Sequence, residues 1–265
     1  MPTANVNGVD IHYELGGDGP NVLFCSGSGA TLETSAPLID RLRPKLQVLA
    51  FDARGIGKSG AVDEPYTMAD LAADALALLD HVGWRTTRLL GVSFGGMVAQ
   101  EIAATAPERV ERLGLMCTSA GGAGGSSYPL HELTSLTPDE RAATSLRLVD
   151  SRFSRDWFAE HPLDDAIMRA RAASAAEPRS DERLAGERLQ MQARAAHDVS
   201  TRLGRITCPT LIGCGRYDGI APLANSEWMA AHIPDAKLEV YEGGHMFFIQ
   251  DSTALPAVVE FLRGS

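Results

Sequence analysis

A serine flanked by glycines is the first feature of the sequence that could do covalent chemistry. Ser93 lies in Gly91-Val92-Ser93-Phe94-Gly95, directly after an apolar run and directly before a helical pattern. A serine at a strand-to-helix turn takes a strained backbone with positive φ, and only small residues fit two positions before and after it. The helix that follows aims its free N–H groups at the serine, where they stabilise an oxyanion. The motif predicts a nucleophile, although a serine that only caps a helix gives the same letters.

A serine nucleophile needs a base, and the sequence holds seven histidines. His245 follows the last apolar run on a glycine-rich loop, at the edge where open α/β sheets bind their ligands. We therefore predict that His245 is the base. The other six histidines are expected at the surface or at helix ends: His12, His81, His131, His161, His197 and His232.

The base in turn needs a carboxylate that fixes its tautomer and stabilises its protonated form. Asp218 comes shortly after the apolar run that ends at Cys214. Asp235 enters the last strand from the opposite end, and Asp251 is a weaker alternative at the start of the closing segment. Ser93, Asp218 and His245 also follow one another in the order that this architecture requires, so they form the predicted catalytic triad.

The elements that must position the predicted triad are short, uniformly apolar segments that alternate with helical patterns along the chain. Such segments are typical of strands that are covered on both faces, which indicates a parallel sheet. Between two of them an amphipathic helix is predicted, with Thr67 and Asp70 as a capping box and Gly83 as its stop. The fold class is therefore α/β. The predicted strands lie at residues 21–25, 46–51, 89–92, 113–117, 209–214 and 237–241.

A glycine-rich stretch at residues 121–127 interrupts this alternation. The chain is then helical in composition and dense in charge until about Ser200. We predict a core of residues 1–119 and 201–265 with a helical insertion at 120–200, whose arginines are expected on a solvated surface.

Composition excludes several classes of function. The 265 residues carry a net charge of −10, which disfavours binding to nucleic acid or to an anionic membrane surface. No apolar run approaches the roughly 20 residues that span a bilayer, and the first residues lack the pattern of a secretory signal. The four cysteines form no CxxC pair and are expected to be buried free thiols. A cytoplasmic location is the resulting expectation.

Two phosphate-binding motifs are incomplete. Gly57-Lys58-Ser59 lacks the earlier glycine of a phosphate loop, because Asp52 stands there. A dinucleotide fingerprint after the first apolar run lacks its third glycine, because Leu32 stands there. A nucleotide cofactor is therefore not expected.

Taken together, these motifs resemble the α/β-hydrolase fold superfamily over nearly the full length. Residues 52–59 are similar to its D-x-R-G-x-G-x-S turn, and residues 106–110 and 208–210 match the segments before two later strands. The nearest resemblance is to small cofactor-free esterases, enol-lactone hydrolases and non-metal perhydrolases. It implies a mostly parallel central sheet flanked by helices, an insertion that acts as a lid, and neither cofactor nor metal.

Members of that superfamily commonly carry His-Gly-x after the third strand, where x donates an oxyanion-hole N–H. Here Ser26-Gly27-Ser28 stands in its place, without the histidine. By position, the resemblance assigns the oxyanion hole to the backbone N–H groups of Ser28 and Phe94.

The predicted reaction is hydrolysis of a small ester or lactone, neutral or weakly polar, by a serine hydrolase. Perhydrolysis, carbon–carbon bond hydrolysis and lyase chemistry use the same triad and stay open, as does a non-catalytic receptor on the same scaffold. Phe153, Trp157 and Met168 could line the substrate pocket, or they could pin the insertion to the core. Oligomeric state is not readable from the sequence.

Overall fold

An eight-stranded sheet forms the centre of the protein. The computed structural model describes residues 2–175 and 178–264. Within this part of the chain the strand order is β1-β2-β4-β3-β5-β6-β7-β8. The pairs β1–β2 and β2–β4 are antiparallel, and all the pairs from β4 to β8 are parallel. The strands are β1 (Thr3–Val6), β2 (Val9–Gly16), β3 (Asn21–Cys25), β4 (Gln47–Phe51), β5 (Thr87–Val92), β6 (Val110–Met116), β7 (Thr210–Gly215) and β8 (Ala236–Tyr241).

Helices connect the parallel strands and also fill the segment between β6 and β7. They are α1 (Leu32–Leu42), α2 (Met68–His81), α3 (Phe94–Thr105), α4 (Pro138–Val149), α5 (Arg155–Glu160), α6 (Pro162–Ala175), α7 (Asp181–Ala195), α8 (Leu223–His232), α9 (Phe247–Gln250) and α10 (Ala254–Arg263). Short 3₁₀ helices lie at Pro107–Arg109, Gly122–Gly124, Leu130–Ser135 and Ser200–Arg205.

Hydrophobic side chains cover both faces of the sheet. In β3, Leu23 faces the cluster that includes α2 and α3, whereas Val22 and Phe24 face the cluster that includes α1 and α10. Successive residues of a strand point to opposite faces, so a strand buried on both sides must be apolar throughout. This confirms the interpretation of the short apolar segments as strands of a largely parallel sheet.

The sequence patterns located six of the eight strands and missed the first two. Each of the six predicted strands corresponds to one of β3 to β8, and Thr67 and Asp70 cap α2 reciprocally. The first two strands were not predicted, because exposed and buried positions mix in β2 and its polar residues break any apolar run. His12 lies buried in that strand, so its expected place at the surface or a helix end is wrong.

Two further expectations can be compared with the structure. All four cysteines are free and buried, as predicted. Within residues 2–175 and 178–264, no helix combines the length and the apolar character that crossing a membrane requires.

The turn after β4 is built around one buried carboxylate. Asp52 accepts the backbone N–H of Leu32, at the start of α1, at 2.7 Å and that of Lys58 at 2.8 Å. Ser59 donates its hydroxyl to the Asp52 carbonyl at 2.6 Å. The residues that resemble the D-x-R-G-x-G-x-S turn therefore tie β4 to α1, which positions the loop between β3 and α1.

Asp52→Ala should lower the free energy of unfolding by about 3 kcal/mol, because it leaves the buried N–H of Leu32 and the partly buried N–H of Lys58 without an acceptor. Urea denaturation followed by circular dichroism measures the change. Asp63→Ala, at an exposed position in the same loop region, is the matched control and should stay within about 0.5 kcal/mol of the wild type. Equal stability of the two variants would contradict this role for Asp52.

Candidate active site

Ser93 sits at a sharp turn between β5 and α3. Its backbone has φ 55° and ψ −116°, a left-handed φ that non-glycine residues rarely adopt. The Ser93 N–H donates to the carbonyl of Met116 at 2.8 Å, which ties the turn to the neighbouring strand β6. The turn therefore lifts the serine hydroxyl above the carboxyl edge of the sheet and places it at the N-terminus of α3.

The glycines on either side of Ser93 are required by space. A Cβ on Gly95 would lie 2.0 Å from the carbonyl oxygen of Cys25, and one on Gly91 would lie 2.5 Å from the carbonyl oxygen of Gly95. Real Cβ atoms do not approach backbone so closely, so neither position accepts a larger residue without a shift of the backbone. The predicted need for small residues at both places is confirmed.

The structure brings His245 and Asp218 to Ser93. His245 Nε2 lies 3.0 Å from Ser93 Oγ, and its Nδ1 lies 2.7 Å from Asp218 Oδ2. The other oxygen of Asp218 accepts the backbone N–H groups of Ile220 and Ala221, at 2.8 and 2.9 Å. Because that carboxylate is fully buried, its oxygens point in fixed directions. With Nδ1–H donating to Asp218, Nε2 is left to accept the serine proton.

The loop that carries His245 is held from two sides. The His245 N–H donates to the carbonyl of Val149, at the end of α4, at 2.6 Å. The Gly244 N–H donates to the side chain of Gln250 at 2.8 Å, and Gln250 donates to the buried carboxylate of Asp150 at 3.0 Å. No local sequence pattern indicates these supports, because Val149 and Asp150 lie about a hundred positions away.

Arg152 continues this network toward the protein surface. Its guanidinium donates to both oxygens of Asp150, at 2.9 and 2.6 Å. It also stacks over the rings of Trp157 and Tyr217, at 4.3 and 3.9 Å from their centroids. Such cation–π contacts fix a guanidinium that is only partly buried.

Two of the three residues considered for the substrate pocket, Trp157 and Phe153, make ring contacts within the helices between β6 and β7. Trp157 stacks on His161 at 3.7 Å between ring centroids and donates its indole N–H to Asp164 at 2.8 Å. Phe153 is buried against Phe158, with ring centroids 4.9 Å apart. Met168 is partly buried on α6. Their role as pocket residues stays a prediction.

The loop after β3 lies beside Ser93. A Cβ on Gly27 would be 3.8 Å from the Cβ of Ser93, so the backbone at Gly27 passes close to the serine side chain. Among the hydrogen bonds of the described residues, none uses the N–H of Ser28 or Phe94 as donor. The next amide, that of Gly29, donates to the side chain of Gln190 on α7 at 2.6 Å. Sequence analysis missed Gln190, whose partner lies 161 positions away.

A buried thiol lies next to the histidine and the aspartate. Cys117 Sγ, an oxygen of Asp218 and a nitrogen of His245 lie within 4.8 Å of one another. Three such atoms could hold a metal ion only with the thiol deprotonated. Burial raises the pKa of Cys117 well above its ordinary value, and the other two groups bond to each other, so this trio is a poor ligand set.

Comparisons with known proteins agree with this architecture. The chain is 31% identical over 245 residues to a poly(3-hydroxyalkanoate) depolymerase of Ectopseudomonas oleovorans, covering 91% of this chain and 84% of that protein. It is 27% identical to 3-oxoadipate enol-lactonase 2 of Acinetobacter baylyi, covering 97% and 94%. The crystal structure of the enol-lactonase from Burkholderia xenovorans superposes with a TM-score of 0.78 at 26% identity, covering 98% and 99%.

A family model described as the alpha/beta hydrolase fold matches residues 20–252, which include every element from β4 to α9. The sheet order, the turn at Ser93 and these relatives lead to the same assignment. The chain belongs to the α/β-hydrolase family, and it is an enzyme of the hydrolase class.

Proposed function

We propose that the protein is a serine hydrolase that cleaves a small carboxylic ester or lactone through an acyl-enzyme. The observation that carries this proposal is the 3.0 Å contact between Ser93 Oγ and a His245 ring whose other nitrogen is bound to Asp218. A serine hydroxyl is a weak nucleophile until such a base takes its proton. The names of the relatives, a poly(3-hydroxyalkanoate) depolymerase and enol-lactonases, support a substrate of this class.

The geometry supports an ordinary acyl-transfer sequence. Ser93 Oγ attacks the carbonyl carbon while its proton passes to His245 Nε2, and Asp218 stabilises the imidazolium that forms. The N–H groups of Ser28 and Phe94 stabilise the tetrahedral oxyanion, at about 3 kcal/mol for each donor. His245 then gives the proton to the leaving alkoxide, which in a lactone stays attached to the acyl group. Water activated by His245 finally cleaves the Ser93 ester.

We also propose that residues 120–200 form a lid over Ser93, inserted between core segments 1–119 and 201–265. Contacts between α7 and the core loops support this arrangement. Gln190 accepts the Gly29 N–H at 2.6 Å, and a Cβ on Gly186 would lie 1.9 Å from the carbonyl oxygen of Gly55. The carbonyl of Val149, at the end of α4, holds the loop of His245. The insertion therefore touches the oxyanion side and the histidine side of the site.

Ser93→Ala and His245→Ala should each lower kcat by about six orders of magnitude, and Asp218→Ala by somewhat less, because the three side chains act as one unit. Hydrolysis of a p-nitrophenyl ester measures the loss. A fluorophosphonate probe should label the wild type at Ser93 and leave Ser93→Ala unlabelled.

Ser151→Ala is the control, since Ser151 is an exposed serine in the same protein. It should keep both labelling and turnover. More than a few per cent of activity in Ser93→Ala would rule out the assignment of the nucleophile. Labelling of the wild type without turnover of any ester would favour a receptor on this scaffold.

Gln190→Ala should lower kcat about tenfold with little change in KM, because the loop that presents the Ser28 N–H loses one hydrogen bond. Gln190→Glu keeps an acceptor for the Gly29 N–H and should restore most of the rate. Steady-state kinetics on one p-nitrophenyl ester separate kcat from KM.

Gln192→Ala is the matched control, because Gln192 is an exposed glutamine on the same helix, and it should behave as wild type. A rise in KM at constant kcat in Gln190→Ala would show that Gln190 acts on binding and not on the oxyanion loop.

A further inference from the structure

A cavity of about 220 Å³ lies between α7, α3 and the loop after β6. Its walls include Arg194 near the end of α7, His197 just beyond that end, Met97 of α3, and Ser119 and Ser127. Ligand pockets for whole drug-sized molecules are about 300–1,000 Å³. This cavity is smaller, so it suits one short chemical group.

Arg194 brings an unpaired positive charge into this cavity. The residue is only 7% exposed, and its Nε and Nη2 atoms are buried without a hydrogen-bond partner. None of the ion pairs between described residues includes it. Sequence analysis expected the arginines of residues 120–200 on a solvated surface, and for Arg194 that expectation is wrong.

A guanidinium stays charged in a protein, and a buried charge without a partner is strongly unfavourable. Burial lowers the pKa of Arg194, which is the direction expected of a cation that lacks a counter-ion. A bound anion would therefore supply the counter-ion that the buried guanidinium of Arg194 lacks.

His197 adds a second buried polar group to the wall of the cavity. It is 6% exposed, and neither ring nitrogen makes a hydrogen bond of ordinary geometry. Burial lowers its pKa to about 4, against the opposing effects of the Glu101 charge and a backbone group of Ser119. The ring is therefore neutral near pH 7 and offers one N–H donor. It adds no second positive charge.

We propose that this cavity binds one carboxylate group, with Arg194 as its counter-ion and His197 as a further hydrogen-bond donor. A single buried cation matches a monoanion better than a phosphate dianion, and the planar guanidinium fits a carboxylate with two parallel hydrogen bonds. The hydroxyls of Ser119 and Ser127, which lie 2.7 Å apart, complete a polar wall.

The carboxylate could be part of the substrate or belong to a separate small molecule. Met97 follows Ser93 by four residues on the same helix, a rise of about 6 Å, so the cavity wall begins about one helical turn from the nucleophile. This proximity favours a carboxylate on the substrate, an assignment that rests on the proposed function. Free small carboxylates are the other source, and the experiment separates the two.

The first part of the experiment compares Arg194→Met with Arg188→Met. Arg188 is exposed on the same helix, so both variants lose one positive charge and only one of them alters the cavity. Arg194→Met should unfold at the wild-type temperature or above it, because it removes an unpaired buried charge. A fall of several degrees, with Arg188→Met unchanged, would show a structural ion pair and overturn the inference.

The second part measures kcat/KM for mono-p-nitrophenyl glutarate and for neutral p-nitrophenyl pentanoate. Arg194→Met should lower the value for the acidic ester about 10- to 100-fold, as expected for a lost charge-assisted hydrogen bond, and change that for the neutral ester less than about twofold. Arg188→Met should change neither. This result identifies the substrate as the source of the carboxylate.

The third part measures binding of butanoate and of butanamide by calorimetry, which does not depend on turnover. One outcome would identify a free carboxylate as the ligand: butanoate binds to the wild type and not to Arg194→Met, while kcat/KM shows no preference of the wild type for the acidic ester. If Ser93 reacts with no probe or ester, the proposed function fails while this measurement still supports the carboxylate site. Equal behaviour of the Arg194→Met and Arg188→Met variants in all three parts would overturn it.

Discussion

The close approach of backbone to backbone around Ser93 is the constraint on which the site depends. Gly95 packs against the carbonyl of Cys25, and Gly91 packs against Gly95, with no room for a Cβ at either place. This contact holds the end of β3, the end of β5 and the start of α3 together. The loop after β3, the Ser93 turn and the N-terminus of α3 are therefore fixed by one packing arrangement, which holds Ser93 in its left-handed backbone conformation.

The meeting of Ser93, Asp218 and His245 at one place could be predicted because of a property of parallel sheets. The carboxyl ends of β5 and β7 lie at one edge, so residues that directly follow those strands meet there whatever their separation in the chain. Ser93, Asp218 and His245 each follow a strand within a few residues, and apolar runs located those strands. Prediction succeeded where the position of a side chain depends only on its distance from a strand end.

Prediction failed where a side chain is placed by a distant partner. Gln190 contacts Gly29 because α7 lies on that loop, and no local pattern records how a surface helix packs. Arg152 and His161 contact the ring of Trp157 and Asp164 accepts its N–H, and no local pattern indicates these partners. The same reason explains Arg194, since an arginine in a charged helix looks solvent-exposed until the helix is placed. Helical periodicity shows which face of a helix is buried, and it does not show which element packs against that face.

The helices between β6 and β7 contribute polar groups at three separate points of the site. Gln190 holds the loop after β3, Val149 and Asp150 hold the loop of His245, and Arg194 lines the adjoining cavity. Gln190 and Arg194 are four residues apart on α7, so they share one side of one helix. A change that shifts this helix to admit a different ligand must therefore also move the support of the loop after β3. With the roles that we propose for Gln190 and Arg194, selectivity and rate are coupled through the position of α7, whereas the Ser93 turn is built on the sheet.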